Sequence, residues 1–195
     1  MAVVSPIRFT VCGFAELKGS CDLGASHVLS LLDPGIPAPP ELDRVGSSNR
    51  VELRFHDVID ALPQTRPPAA EDIEQILALG SELALSRPSH RHLLIHCHAG
   101  ISRSTSAAAL LWAQGEPSRS PTDIFAEIGR RRPRAWPNLL LLEYGEAALG
   151  RAGEIVPAAA MQYRRVLAEQ PQFAQMMREC GRGREVDLAE RSAQR

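Results

Sequence analysis

Residues 93–104 of the chain read LLIHCHAGISRS. The first three residues are apolar, which is typical of a buried strand, and the run STSAAALLW that follows Arg103 is typical of a helix. A loop that carries Cys97 and Gly100 joins the two segments. The stretch therefore places a cysteine where a buried strand ends and an arginine, six residues later, where a helix begins.

This arrangement suits the binding of a phosphate group. A helix N-terminus presents unpaired N–H groups and a partial positive charge, and successive amides of a tight loop form an anion-binding nest. Gly100 lets the backbone turn sharply, and the guanidinium of Arg103 can bind two phosphoryl oxygens at once. The same positive surroundings favour the thiolate form of Cys97, which is the nucleophile. We predict a phosphate-binding loop with Cys97 as nucleophile and Ser104 as a hydrogen-bond donor to its sulfur.

A cysteine followed six residues later by an arginine is a weak signal by itself, so the neighbouring residues decide. His96 precedes the cysteine, Gly100 lies in mid-loop and a hydroxyl residue follows Arg103. No arginine lies six residues after any of the other cysteines, which are Cys12, Cys21 and Cys180. The competing interpretation is a structural cysteine buried in an ordinary turn between a strand and a helix.

Residues 96–104, HCHAGISRS, resemble the His-Cys-x5-Arg-Ser/Thr signature of the protein tyrosine phosphatase superfamily, above all its small bacterial members of the dual-specificity type. The resemblance extends over about residues 7–155. It implies a protein-tyrosine-phosphatase-like hydrolase of phosphate monoesters in which His96 and Ser104 support the loop. It also implies that the phosphoryl group is bound by six residues, which are His98, Ala99, Gly100, Ile101, Ser102 and Arg103.

The leaving oxygen needs a proton donor, which contributes roughly 10²–10⁴ in rate. The resemblance implies an aspartate upstream of the cysteine, and Asp57 and Asp60 both lie there. Asp57 directly follows a predicted strand over 51–55, so we expect it to project from the sheet edge that carries the loop. Residues 55–58, FHDV, also resemble the acid region of the small bacterial members. We predict Asp57 as general acid and base, with Asp60 as the alternative.

These residues predict a two-step mechanism. Cys97 attacks phosphorus in line to form a cysteinyl-phosphate, while Asp57 protonates the leaving oxygen. Arg103 and the loop amides stabilise the oxygens of the transferring group. Asp57, now a base, then activates water. Because the nest and Arg103 supply the positive charge, we expect no metal and no cofactor.

The order of the elements predicts an α/β fold, in which a central, mostly parallel sheet is flanked by helices and the nucleophile loop joins a central strand to a helix. Strands are predicted over 7–14, 27–32, 51–55 and 93–95. Helices are predicted over 70–85, 103–114, from 121 to near 133, and over 139–149 with Asn138 as its cap. We assign 1–155 to the phosphatase domain and 156–195 to a C-terminal helical extension. In that extension we predict one helix over 158–180, interrupted at Pro171, and disorder in the last fifteen residues.

The chain has 195 residues, a formal net charge of −1 at pH 7 and four scattered cysteines. This charge gives no reason to expect nucleic acid or an anionic membrane as partner. The cysteines do not form a disulfide framework or a zinc motif, and a reactive thiol needs a reducing compartment. The N-terminus lacks the pattern of a signal peptide, and no apolar run approaches the length of a membrane span. We therefore expect a cytoplasmic protein.

The expected partner is a phosphorylated protein, with phosphotyrosine first among the phosphorylated residues. A nucleotide, an RNA 5′-end or a phosphoinositide is the non-protein alternative, although residues 98–102 carry none of the lysines that many phosphoinositide phosphatases have in this loop. A catalytically inactive module that binds phosphoproteins is an alternative of another class, and a rhodanese-type sulfurtransferase or an arsenate reductase is a rival enzyme. The oligomeric state stays open.

Overall fold

The structure, a computed structural model, describes residues 7–46, 49–87 and 91–192. Four strands form one parallel sheet, and their bounds are β1 Arg8–Cys12, β2 His27–Leu32, β3 Arg50–Arg54 and β4 His92–His96. They lie in the order β1-β4-β2-β3, and every neighbouring pair is parallel. The predicted α/β fold with a central parallel sheet is confirmed.

The two central strands are buried along their whole length, because the sheet is covered on both faces. β4 pairs with β1 on one side and with β2 on the other, so that Ile95 has Val11 and Leu29 as register partners. In a parallel sheet all carboxyl ends meet at one edge, and ligands bind in the crevice there. The loop after β4 therefore opens at the centre of the edge where a site is expected.

Helices surround the sheet. Their bounds are α1 Leu17–Cys21, α2 Ala70–Leu85, α3 Arg103–Gly115, α4 Pro121–Arg131, α5 Leu139–Ala148, α6 Ile155–Glu169, α7 Phe173–Glu179 and α8 Gly183–Arg191, and two 3-10 helices span Phe14–Glu16 and Pro40–Arg44. α3 is buried over most of its length, since its alanines and leucines pack against the sheet and the neighbouring helices. None of the described helices is both long and apolar enough to cross a bilayer.

The C-terminal part departs from two predictions. The helix expected over 158–180 begins earlier, at Ile155, and the expected interruption at Pro171 divides it into α6 and α7. Pro171 separates them, because proline lacks an N–H and disfavours helical backbone in the residue before it. The predicted disorder of the last fifteen residues is wrong for Gly183–Arg191, which form α8. Residues 193–195 lie outside the described residues.

α8 is ordered because it buries apolar side chains in the main core. Val186 and Ala189, three residues apart on one face of the helix, are both fully buried and belong to the same hydrophobic cluster as Phe9 of β1. The outward face is charged, with Arg178 of α7 paired to Asp187 and Glu190. The segment beyond residue 155 therefore shares one core with the sheet.

Candidate active site

The nucleophile loop, residues 97–102, joins β4 to α3. Four of its carbonyl groups, those of residues 98–101, accept hydrogen bonds from outside the loop. The donors are the backbone N–H of Phe14 at 2.9 Å, Nη2 and Nε of Arg132 at 3.3 and 3.0 Å, and the backbone N–H of Trp136 at 2.9 Å. In the described structure no backbone N–H of residues 98–102 donates a hydrogen bond. With the carbonyls turned outward, these amides are free to line the inside of the loop and bind an anion.

Two glycines allow the loop to lie against the end of β1. Gly100 has a positive φ of 68°, and a Cβ on it would lie 2.5 Å from the backbone N of Gly13. A Cβ on Gly13 would in turn lie 2.7 Å from the backbone carbon of Ala99. Neither position has room for a side chain, so glycine is required at both for the loop to keep its shape.

The predicted nucleophile lies at the base of this loop. Cys97 is only 2% exposed, and its sulfur lies 3.1 Å from Oγ of the fully buried Ser104. His96 is also fully buried, and its Nε2 lies 2.7 Å from Oγ of Ser30. Burial lowers the pKa of His96 to about 4, so its ring is neutral near pH 7. The structure thus places His96 and Ser104 beside the nucleophile loop, and their supporting roles stay a prediction.

Arg103, at the first position of α3, is buried, and one of its donors has no partner among the described residues. Its Nη1 donates to Oδ1 of Asp33 and to the carbonyl of Phe55, each at 2.6 Å. Its Nε is buried and finds no hydrogen-bond partner in the part of the chain that the structure describes. A buried N–H without a partner costs free energy unless a ligand accepts from it. An anion held by the loop would supply that acceptor.

Asp57 lies just beyond β3, and its carboxylate contacts the loop. Three donors reach its Oδ1, namely Oγ of Ser102 at 2.7 Å, Nδ2 of Asn138 at 2.8 Å and Nη1 of Arg182 at 3.2 Å. No described residue donates to Oδ2. Burial by itself raises the pKa of Asp57, but Arg182 and Arg103, with the two neutral donors, lower it below the usual value.

Asp60, the alternative acid, lies elsewhere. Its carboxylate pairs with Nη1 of Arg184 at 3.0 Å, and its side chain is half exposed. Within the described ranges it makes no hydrogen bond or ion pair with the nucleophile loop. Of the two candidates, only Asp57 is brought into contact with the loop.

The remaining loop residues predicted to bind substrate differ in exposure. His98 and Ala99 face the solvent at least in part, whereas Gly100 and Ser102 are buried and Ile101 is intermediate. The ring of His98 lies 4.8 Å from that of Phe14, with its Nδ1 3.7 Å from the Asp33 carboxylate. Burial and Arg103 lower the pKa of His98, although Asp33 and Asp57 oppose this.

Sequence reasoning missed two charged residues of the C-terminal segment. Arg182, which precedes α8, contacts Asp57 and Ser102, and Glu185 of α8 binds Arg182. Both are almost completely buried. No local sequence signal marks them, since arginine and glutamate in a polar C-terminal stretch are ordinarily exposed. Asn138 was expected only as a helix cap; it does cap α5, accepting from the N–H of Leu141, and it also binds Asp57.

Among the residues that the structure describes, no cluster of three His, Cys, Asp or Glu side chains could hold a metal ion. The donors at the site are instead N–H groups and a guanidinium, which bind anions. The arrangement can therefore hold a phosphoryl group against the sulfur of Cys97, with a carboxylate beside it.

No protein-family model matches the chain, and no curated protein matches it. Solved structures do match. PTP-2 phosphatase of Cydia pomonella superposes with a TM-score of 0.56 at 19% identity, covering 73% of this chain and 86% of that one. Human DUSP28 superposes with a TM-score of 0.53 at 13% identity, covering 77% of this chain and 100% of that one. PTPMT1 in complex with PI(5)P superposes with a TM-score of 0.51 at 14% identity, covering 76% of this chain and 96% of that one. The chain therefore has the fold of the cysteine-based protein tyrosine and dual-specificity phosphatases.

Proposed function

We propose that the protein hydrolyses phosphate monoesters through a cysteinyl-phosphate intermediate. The observation that carries the proposal is the nucleophile loop itself: its carbonyls are bound from outside, and the buried Nε of Arg103 has no partner among the described residues. A phosphoryl group requires unsatisfied donors such as these, in a loop that begins at a buried thiol. The phosphatase fold of the structural neighbours supports this assignment.

In the first step the thiolate of Cys97 attacks phosphorus, and the bond to the leaving oxygen breaks as Asp57 gives that oxygen its proton. Arg103 and the amides of 98–102 bind the three oxygens of the transferring group. In the second step water attacks the cysteinyl-phosphate, Asp57 takes the proton of the water, and inorganic phosphate leaves. Ser104, 3.1 Å from the sulfur, then stabilises the departing thiolate by a hydrogen bond.

We propose phosphotyrosine in proteins as the preferred substrate class. Cys97 is 2% exposed at the base of the loop, and a phosphoryl group on an aromatic ring reaches farther from the backbone than one on serine. A phosphoinositide is the second candidate, since one neighbour of the same fold was solved in complex with PI(5)P. Residues 98–102 contain no lysine to hold further phosphates, which favours the protein substrate. A thiol nucleophile needs reducing surroundings, so we place the activity in the cytoplasm.

The first test is hydrolysis of p-nitrophenyl phosphate near pH 6 by the reduced protein in the presence of EDTA. We expect turnover that the chelator does not change. Peptides that carry phosphotyrosine, phosphoserine or phosphothreonine, and PI(5)P in micelles, then compare the substrate classes. A folded, reduced protein that binds inorganic phosphate or vanadate but turns over none of these substrates would instead be a phosphoprotein-binding module.

Asp57→Asn is expected to reduce kcat by roughly 10²–10⁴, the range typical of a lost general acid. The loss should be greater for phenyl phosphate than for p-nitrophenyl phosphate, because the poorer leaving group depends more on protonation. Above the pKa of Asp57 the native kcat should fall about tenfold per pH unit, because the acid form is then lost. The variant should lack this alkaline limb.

Asp60→Asn is the matched control, since it removes the same charge three residues away, and we expect near-native kcat. Should Asp60→Asn lose the alkaline limb while Asp57→Asn keeps it, the two roles would be exchanged. Unchanged turnover of both phosphate esters in both variants would show that neither aspartate is the general acid.

A further inference from the structure

One buried guanidinium joins the C-terminal segment to the nucleophile loop. Arg182 is 5% exposed, and its Nη1 donates to Oγ of Ser102 at 2.8 Å and to Oδ1 of Asp57 at 3.2 Å. Its Nε and Nη2 donate to the two carboxylate oxygens of Glu185 at 2.8 and 2.7 Å. The fork of Arg182 therefore binds the candidate acid, the loop and a second carboxylate at the same time.

Glu185 fixes Arg182 in this position. Its side chain is fully buried, and it accepts from the backbone N–H of Leu139 at 3.0 Å and from the indole N–H of Trp136. Trp136 also donates its backbone N–H to the carbonyl of Ile101 in the loop. Because a planar guanidinium binds carboxylates in a fixed geometry, Glu185 determines where the Nη1 edge of Arg182 points.

The pairing with Glu185 already satisfies the charge of Arg182, so attachment of α8 does not by itself require contact with Asp57. Nη1 nevertheless reaches both Asp57 and Ser102, which are themselves bonded at 2.7 Å. With Asn138, these donors all converge on Oδ1. The carboxylate, whose side chain is 30% exposed, is thereby held by one oxygen while Oδ2 stays available for the proton.

We propose that Arg182 is a positioning residue, which holds Asp57 against the nucleophile loop and makes the C-terminal segment part of the active site. This inference rests on the proposed function and adds a residue to that same site. The cation acts in the second step as well, because it favours the carboxylate form of Asp57 that accepts a proton from water.

The test compares kcat for p-nitrophenyl phosphate and phenyl phosphate. Arg182→Ala alone would leave the buried carboxylate of Glu185 without a counter-ion. The main variant is therefore Arg182→Met with Glu185→Gln, which keeps an acceptor for the N–H of Leu139. At a pH below the alkaline limb of both proteins, we expect kcat to fall about tenfold or more with phenyl phosphate and much less with p-nitrophenyl phosphate. The alkaline limb of kcat should move to higher pH, since a cation that lowers the pKa of Asp57 is gone. Arg182→Lys keeps the charge without the planar fork, so its kcat for phenyl phosphate should lie between those of the double variant and the native protein.

Arg191→Ala is the matched control, because it removes an exposed arginine of α8, the helix that Arg182 precedes, and should keep native kcat for both substrates. Adding the double change to Asp57→Asn should cause little further loss, since the two changes act through one group. If the double variant melts like the native protein but the ratio of its kcat values for the two substrates is unchanged, the inference is overturned. The phosphatase assignment would still stand. Absence of hydrolysis by the native protein would overturn both.

Discussion

Cys97→Ser is expected to reduce the kcat for p-nitrophenyl phosphate by about 10⁴-fold or more, in the range seen when an enzyme loses its nucleophile. Such a loss corresponds to about 5 kcal/mol of transition-state stabilisation. A serine at position 97 would keep its proton, because a base would have to remove it. The hydrogen-bond partner that the structure gives this position is the hydroxyl of Ser104, which is not a base. The measurement is the initial rate of nitrophenol release by purified, reduced protein.

Cys180→Ser is the matched control, since Cys180 is exposed at the end of α7 and far along the chain from the loop. It should keep native kcat. The loop of Cys97→Ser should still bind an anion, so vanadate or phosphate should raise the thermal melting temperature of this variant as it does that of the native protein. A Cys97→Ser protein that retains a tenth or more of the native rate would contradict the assignment of the nucleophile.

Arg103→Lys is expected to lower kcat/KM by about 10³-fold or more, comparable to the loss of an arginine that stabilises a transferring phosphoryl group. The buried guanidinium donates through Nη1 to Asp33 and to the carbonyl of Phe55 and still leaves Nε for substrate. A lysine keeps the charge but offers one ammonium in place of the planar fork, so it cannot satisfy both sets of acceptors. Most of the loss should appear in kcat, because the oxygens of the transferring group are held most strongly in the transition state.

Arg130→Lys is the control for the same chemical change, since Arg130 is an exposed residue of α4 paired with Glu127. Its kcat/KM should equal that of the native protein. If Arg103→Lys remains within tenfold of native kcat/KM, the loop amides alone would account for phosphate binding and the role given to Arg103 would be wrong.

The strands and the loop could be predicted because their signals are local. The apolar run before Cys97, Gly100 within the loop and the alanine-rich run after Arg103 each indicate their own backbone. The alternation over 51–55 places Asp57 at the end of a strand, and parallel strands end at one edge. The sequence alone thus leads to the nucleophile loop and to an acid candidate at the same edge of the sheet.

The contacts that shape the site are long-range, and for these the sequence carries no local signal. Asp33 belongs to an Asp-Pro-Gly turn, yet it pairs with Arg103, 70 residues away in the chain. Arg182 lies 125 residues from Asp57. Arg132, in an arginine-rich segment after α4, binds the loop carbonyls and Glu16. Which of many arginines is buried depends on the packing of α4 and α8, so the sequence alone does not distinguish them from solvated charges.

The sequence did not predict that α8 is ordered, and the reason is similar. Gly183–Arg191 is a charged nine-residue helix that would be marginal in isolation. Its stability comes from burying Val186 and Ala189 against the core and from the Arg182–Glu185 pair. Neither contribution exists until the rest of the chain has folded, so composition alone points to disorder.

The most direct test of the account is to look for phosphate on Cys97 during turnover. The Asp57→Asn variant, in which water is activated slowly, is mixed with p-nitrophenyl phosphate, denatured rapidly and digested, and the peptides are analysed by mass spectrometry. We predict one phosphoryl group on the peptide that contains Cys97, and none when Cys97 is also replaced by serine. Turnover by the native protein without any phosphorylated Cys97 peptide, or with phosphate on another residue, would contradict the proposed cysteinyl-phosphate mechanism.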